Sequence, residues 1–220
     1  RKGGNASFDG GYGVVYKITP QGEYSLLHAF NGSSDGSSPS GELLSDGKGN
    51  FFSMTQKGGP QESGVVYKMT SGGIVTTIHA FSHTEGYFSS GVLIADETGN
   101  LYGTTTAGGD SNVGTVYKTA PDGTTTVLHS FGYFPYCFGH NPCGDPNGGL
   151  MLKDGALYGV TDHITYDKPI DGTVFRINAD GTFEILFSFS HKNKLGYLPN
   201  GPLVLGLDGA LYGTNESGGK

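Results

Sequence analysis

The tripeptide LYG keeps returning: NLYGTTTAGG at 100–109, ALYGVT at 156–161 and ALYGT at 210–214, with FFSMT at 51–55 in the same place. An active site needs its residues once, whereas a phrase at a fixed interval marks a repeated structural unit. A second phrase confirms the interval: GVVYK at 13–17 and 64–68, GTVYK at 114–118 and GTVFR at 172–176. Each is followed by a turn pair (Gln21-Gly22, Gly72-Gly73, Asp122-Gly123, Asp180-Gly181) and then by YSLLHAF, VTTIHAF, TTVLHSF or FEILFSF. A variable loop leads to GELLSD, GVLIAD, GGLMLKD or GPLVLGLD, and a tight turn returns the chain to the LYG phrase. Units of roughly 50 residues, starting near 13, 64, 114 and 172, thus account for nearly all of residues 1–220 as a single domain.

Each unit holds four short runs with the two-residue alternation of a β-strand, and no run has helical length and period. Asp-Gly and Gly-Gly supply the positive φ that two-residue hairpins need. The 40 glycines, 13 tyrosines and 13 phenylalanines fit a turn-rich, aromatic all-β protein. Four antiparallel strands repeated at this interval predict a β-propeller of four-stranded blades. The GVLIAD-type run opens on Gly41, Gly91, Gly149 or Gly201 and is expected to be the crowded inner strand. LYGTT is then second, GTVYK third and LHSF the outer edge. In that phase the N-terminal residues supply two outer strands and the C-terminal residues two inner ones. The last blade is expected to close by joining them, which removes exposed edges. The alternative is a window on a longer tandem array.

At this point the residues carry a resemblance. GVLIADETGNLYGTTTAGGDSNVGTVYKTAPDGTTTVLHSF, residues 91–131, is similar to the GloVer tandem repeat of bacterial extracellular proteins, and the likeness extends over nearly the whole chain. More distantly the layout resembles NHL-type and streptogramin-lyase-type propellers. The resemblance implies a propeller-like protein that is secreted or held at the cell surface, the bacterial periplasm being a further place for it. It implies no reaction, and function has to be argued from a site.

Composition narrows the partners. The net charge of −7 and the absence of a basic cluster argue against nucleic acid. No apolar run approaches the roughly 20 residues of a membrane span. The chain begins at Arg1 without a hydrophobic leader, so any signal peptide is expected to lie outside it. Cys137 and Cys143 sit in one Pro/Gly-rich loop, FPYCFGHNPCGDP, where a disulfide ring is expected in an oxidising compartment; free thiols are the alternative.

Repeated polar residues read as scaffold. His28, His79 and His129 share a position at which the fourth copy has Phe187, so the ring fills space rather than ligating a metal. Lys17, Lys68, Lys118 and Arg176 are expected to lay their stems on a neighbour and bond a loop carbonyl. Tyr102, Tyr158 and Tyr212, with Phe52, read as core aromatics with a polar tip.

Function is then expected where the copies differ, on the face that carries the long loops. The third copy departs most. The candidate ligand-binding residues are Tyr133, Phe134, Tyr136, Phe138, His140, Asp145, His163 and Tyr166, with Asp167 beside them, joined by Tyr87, Phe88 and Tyr197 from neighbouring units. Aromatic faces next to Asn, Asp and His suit a sugar or peptide ligand; the alternative is that they pack their own loops. No motif for a metal or cofactor is present, and no cofactor is expected. The expected function is a non-catalytic binding or adhesion module for a glycan or protein. A structural subunit that contacts copies of itself, and an extracellular lyase or hydrolase using a His/Asp/Tyr cluster, are the alternatives.

Overall fold

A computed structural model describes residues 11–132, 145–146, 148–162, 171–192 and 194–219. Among the described residues every regular element is a β-strand. A two-stranded sheet pairs β1 (Val14–Ile18) with β2 (Tyr24–Ala29). Three four-stranded sheets follow. The first is β3 (Ser37–Ser45), β4 (Asn50–Lys57), β5 (Val65–Thr70) and β6 (Val75–Ala80). The second is β7 (Tyr87–Ala95), β8 (Leu101–Ala107), β9 (Thr115–Thr119) and β10 (Thr125–Ser130). The third is β11 (Met151–Lys153), β12 (Ala156–Thr161), β13 (Thr173–Ile177) and β14 (Phe183–Ser188). A two-stranded sheet of β15 (Tyr197–Leu205) and β16 (Leu211–Ser217) ends the described chain. Strands pair antiparallel in chain order, so each sheet is the meander that the repeat predicts.

The register explains LYG. Gly103 lies opposite Tyr117 and Gly159 opposite Phe175. A Cβ on Gly103 would sit 2.4 Å from the Tyr117 hydroxyl, and one on Gly159 2.4 Å from Phe175 Cζ. The glycine leaves room for the ring of its cross-strand partner to lie flat over the strand. In the first four-stranded sheet Ser53 takes this place opposite Tyr67.

The aromatic ring so accommodated holds successive sheets together. Tyr67 meets Phe30 of the preceding sheet at 5.3 Å, Tyr117 meets Phe81 at 4.8 Å, and Phe175 meets Phe131 at 5.5 Å, all edge-on. Such contacts add about 0.5–1.5 kcal/mol each beyond the area they bury. The three apolar cores therefore lie between sheets. Val15, Phe30, Val65, Tyr67 and Met69 form the first; Met54, Val66, Phe81, Leu93, Leu101 and Tyr117 the second; Val113, Val116, Phe131, Leu150, Leu157, Phe175 and Ile177 the third.

The inner strands converge on glycine, as their position in the repeat predicts. A Cβ on Gly41 would lie 2.3 Å from the Gly91 carbonyl oxygen, and one on Gly148 2.6 Å from that of Gly201. The third copy thus uses Gly148 where the sequence reading chose Gly149, because its turn, Asp154-Gly155, is shorter and shifts the count by one. A β-bulge follows these glycines in β3, β7 and β15. Outer strands carry their own bulge, at Leu27, Ile78, Leu128 and Leu186. The next sheet's turn packs on it: Gly73 approaches the Leu27 carbonyl and Gly123 the Ile78 carbonyl.

Two expectations need correction. Among the described residues the terminal half-sheets do not join: β1–β2 and β15–β16 are separate ladders, and a Cβ on Gly201 would meet none of these residues within 4 Å. Among the described residues the glycine contacts run from 41 to 91, from 91 to 149 and 148, and from 148 to 201, without returning to 41. Two of the four recurrent cations also take a partner other than the loop carbonyl expected of them. Lys118 Nζ lies 5.9 Å over the ring of Tyr102, its cross-strand neighbour. Arg176 bonds Glu184 Oε2 at 2.6 Å and its cross-strand neighbour Tyr158. A facing aromatic lies closer to a strand residue than any loop does.

Candidate functional site

Antiparallel meanders send the fourth-to-first and second-to-third connections to one end of each sheet and the two tight turns to the other. Both ends have concave features, and they differ in chemistry.

At the tight-turn end, a cleft of about 880 Å³ opens between the first and second four-stranded sheets. Its polar lining already serves the turns. Asp46 accepts from Lys48 N, Asn50 N and Asn50 Nδ2. Asp96 accepts from Thr98 and Asn100, and from the Tyr102 hydroxyl at 2.9 Å. Burial alone would raise the Asp96 carboxyl, but these donors outweigh it and hold the group well below the usual carboxylate range. Tyr102 responds in the opposite sense: burial, then the bond to Asp96 and its charge, push the phenol up to about 12. Asp122 caps its own hairpin through Thr124 N. The D-x-x-G-N motif is thus a turn clamp, which commits Asp46 and Asp96, while Lys48, Lys68 and Glu97 also line the cleft.

At the loop end of the first two repeats, a carboxylate fastens the loop to the histidine of the outer strand. Asp35 accepts from Asn31 N at 2.9 Å and lies 2.8 Å from His28 Nε2. Glu85 accepts from Ser82 N and Oγ, 3.3 Å from His79. Burial favours its neutral form, but the Ser82 bonds and His79 keep its carboxyl below the ordinary value. The histidines meanwhile pack edge-on against the phenylalanine two residues ahead, at 4.9 Å for His28–Phe30, 5.2 Å for His79–Phe81 and 4.8 Å for His129–Phe131. Phe187–Phe189 reproduces that geometry at 5.0 Å. The ring at this position is packing, whatever its chemistry.

Beyond these clasps lies a group of aromatic rings. His83 and Tyr87 are 4.8 Å apart, and Tyr87 and Phe88 5.0 Å. Lys57, from the end of β4 in the preceding sheet, places its ammonium 5.4 Å over Phe88. Each member is held from outside the group. The Tyr87 hydroxyl donates to Asn112 Oδ1 at 2.8 Å, His83 Nδ1 lies 3.1 Å from Ser63 Oγ, and the Phe88 carbonyl accepts from Thr106 Oγ1. Phe88 nevertheless stays 39% exposed. Its backbone is left-handed, with φ of 54°, as are Ser38 and Leu198 at the same point of the repeat.

The same pair recurs one sheet removed: His191 and Tyr197 are 6.2 Å apart. His191 bonds the fully buried Asp171 through Nδ1 at 2.6 Å. Of the residues singled out from sequence, Tyr87, Phe88 and Tyr197 stand at this end, Tyr87 and Tyr197 with rings paired to a histidine of their own unit and Phe88 packed on Tyr87. Asp145 is there too, in a two-way backbone bridge with Asp162. Tyr133, Phe134, Tyr136, Phe138, His140, His163, Tyr166 and Asp167 lie outside the described residues, as do Cys137 and Cys143. His83, His191 and Lys57 are additions from the structure. The signal for the first two was legible: FSH occurs at 81–83 and 189–191, each time shortly before Gly-Tyr. Among the described residues no three His, Cys, Asp or Glu side chains are grouped to hold a metal, and no helix is long and apolar enough to cross a membrane.

Residues 3–220 match the family model described as the Gloeobacter/Verrucomicrobia repeat. The match covers nearly the whole chain, and the chain belongs to that family. No curated protein matches it.

Proposed function

We propose that this member of the Gloeobacter/Verrucomicrobia repeat family is a secreted or cell-surface binding module, non-catalytic, that takes a saccharide or peptide ligand on its variable-loop face. In this reading the sheets are blades of a β-propeller. Support for that arrangement comes from the inner-strand glycines, which approach one another in series from sheet to sheet, and from cores that lie between sheets.

One observation carries the binding reading. The His83–Tyr87–Phe88 group is fixed by Ser63, Asn112 and Thr106, and its outer ring is left exposed with a cation above it. Phe88, with its backbone pinned by the Thr106 bond and its ring packed on Tyr87, stays partly open to water and presents an apolar face at low entropic cost. Sugar rings and peptide side chains stack on such faces, and Lys57, His83 and Asn112 border it with donors for hydroxyl or carbonyl oxygens. The histidine–carboxylate pairs do not favour catalysis: Asp171 is fully buried and Asp35 is nearly so, and both accept backbone N–H groups of their loops.

Titration calorimetry with cellotetraose, xylotetraose and chitotetraose, on the native chain and on Phe88→Ala, tests the reading. Loss of one stacking ring is expected to weaken binding about tenfold. Binding that Phe88→Ala and Tyr87→Ala both leave unchanged contradicts the assigned platform.

A further inference from the structure

The platform of His83, Tyr87 and Phe88 is bordered by residues that break the repeat. Lys57 ends β4, where it pairs with Ser37. In the same register the later sheets have Ala107, opposite Tyr87, and Ser217, opposite Tyr197. Phe88 stands where other copies have Ser38 and Leu198, all three with a left-handed backbone. The ammonium and the ring it covers at 5.4 Å therefore both depart from the repeat, and they come from neighbouring sheets. Other copies build the same strands without either side chain, so the scaffold does not call for them.

Asn112 is a third departure. Its N–H bonds the Gly109 carbonyl as that of Glu62 bonds Gly59, and both residues have φ of 57°. An amide thus stands where the preceding sheet has a carboxylate. The hydrogen-bonding groups around the rings can then be counted. Asn112 Oδ1 accepts from the Tyr87 hydroxyl and from Gly108 N, while its Nδ2 makes no bond among the described residues. The Phe88 carbonyl is taken by Thr106, and Glu85, the carboxylate of the same loop, is spent on Ser82 and His79. Ser63 gives its one hydroxyl proton to the Gln61 carbonyl, so His83 meets it with Nδ1–H and keeps Nε2 as an acceptor. Lys57 takes part in none of the ion pairs among the described residues, so neither Glu62 nor Asp110 of the adjoining loops neutralises it at contact.

What is left for a ligand is a positive charge with amide N–H donors beside it, an imidazole acceptor, and an apolar ring. This local excess of positive donors belongs to a chain whose net charge is −7. A neutral sugar satisfies the ring and the acceptor but leaves the ammonium unanswered. An acidic peptide answers the ammonium, but its carboxylate side chains bring no hydroxyl. A uronate residue carries a C–H face, hydroxyls and a carboxylate on one ring.

We propose that the platform binds an acidic saccharide. A uronate ring stacks on Phe88, its carboxylate accepts from Lys57 and Asn112 Nδ2, and a hydroxyl donates to His83 Nε2. Lys57 carries its ammonium on a flexible stem, so it can leave the ring for the carboxylate. The inference rests on the platform being the binding site and specifies what it takes.

Titration calorimetry tests it by comparing cellotetraose with β-1,4-linked tetraglucuronate, which has the same backbone and a carboxylate for each hydroxymethyl group. The native chain is expected to bind the uronate about fivefold more tightly at low salt, the upper range for an exposed ion pair, and the difference should narrow as salt screens it. Lys57→Met is expected to abolish the preference, and Lys57→Arg, which restores the charge, to keep it. A native chain that binds the two equally, or a preference that Lys57→Met retains, overturns the proposal and leaves the platform itself standing. Tetraglutamate bound more tightly than the uronate, with the same dependence on residue 57, overturns it in favour of an acidic peptide. If no probe binds, the platform and its charge preference fall together.

Discussion

The approach of inner strands at glycine can be tested by adding one methyl group at two positions. Gly41 and Gly201 share a place in the repeat and nearly the same backbone, with φ of 78° and 87°. Alanine at either position carries the cost of a left-handed residue, about 1–2 kcal/mol. At Gly41 the new Cβ also lies 2.3 Å from the Gly91 carbonyl oxygen, a backbone atom in the next sheet's inner strand. Such a contact can be relieved only by moving strands, and overpacking of this kind costs about 1–3 kcal/mol. Gly41→Ala should therefore destabilise by about 2–5 kcal/mol, and Gly201→Ala, with none of the described residues within 4 Å, by about 1–2. For a chain of this size that corresponds to about 4–20 °C against about 2–8 °C in the unfolding midpoint. Urea unfolding followed by circular dichroism, at a dilution where the chain is monomeric, reads the difference, and an unchanged slope confirms a common unfolded state. Equal costs at the two positions would refute the reasoning. A small equal cost means the inner strands do not converge; a large equal cost means Gly201 has a backbone neighbour and the sheets close on themselves.

Other consequences follow from the turn clamp and the inter-sheet rings. Tyr102 titrates at about 12 in the fold against about 10 unfolded, so its stabilising contribution is complete below pH 10 and is lost as pH rises through 12; Tyr102→Phe should flatten the thermal midpoint over that window. Asp96 has a depressed pKa, so its contribution is present above about pH 4 and is lost as pH falls through the folded value. Asp96→Asn should therefore be destabilising at pH 7 and progressively less so in acid, as read by urea midpoints across pH. Phe175→Ala should cost about 3–5 kcal/mol, because it empties the third core, whereas Tyr16→Ala at the equivalent exposed position should cost the monomer well under 1 kcal/mol.

The meander and its strand order were legible because turn glycines and two-residue alternation are local signals. What LYG is for was not, since it depends on register: only the pairing of Gly103 with Tyr117 shows that the glycine makes room for a ring on the next strand. The inner-strand glycine of the third copy was misplaced by one residue, because GGLMLKD offers two glycines and the shorter turn hides which one is in phase. Joining the terminal half-sheets follows from the repeat phase, but the phase specifies which strand types pair and not which copy supplies them. At the loop end, Tyr87, Phe88 and Tyr197 were found by departure from the repeat. His83 and His191 carry a weaker signal, because they lie in loops of different length outside the regular strand positions, and Lys57 reaches Phe88 only through the packing of one sheet on the next.

The most direct test of the account asks which face meets a ligand. Amide hydrogen exchange should be compared with and without each of the three tetrasaccharides. Residues 82–88 and 106–112 are expected to slow when a ligand binds, with 190–197 joining if it spans to the second His–Tyr pair. Residues 46–50, 96–100 and 121–123, at the tight-turn end, should be unchanged. Protection confined to those turns would move the site to the cleft beside Asp46 and Asp96 and contradict the assignment of function to the variable loops.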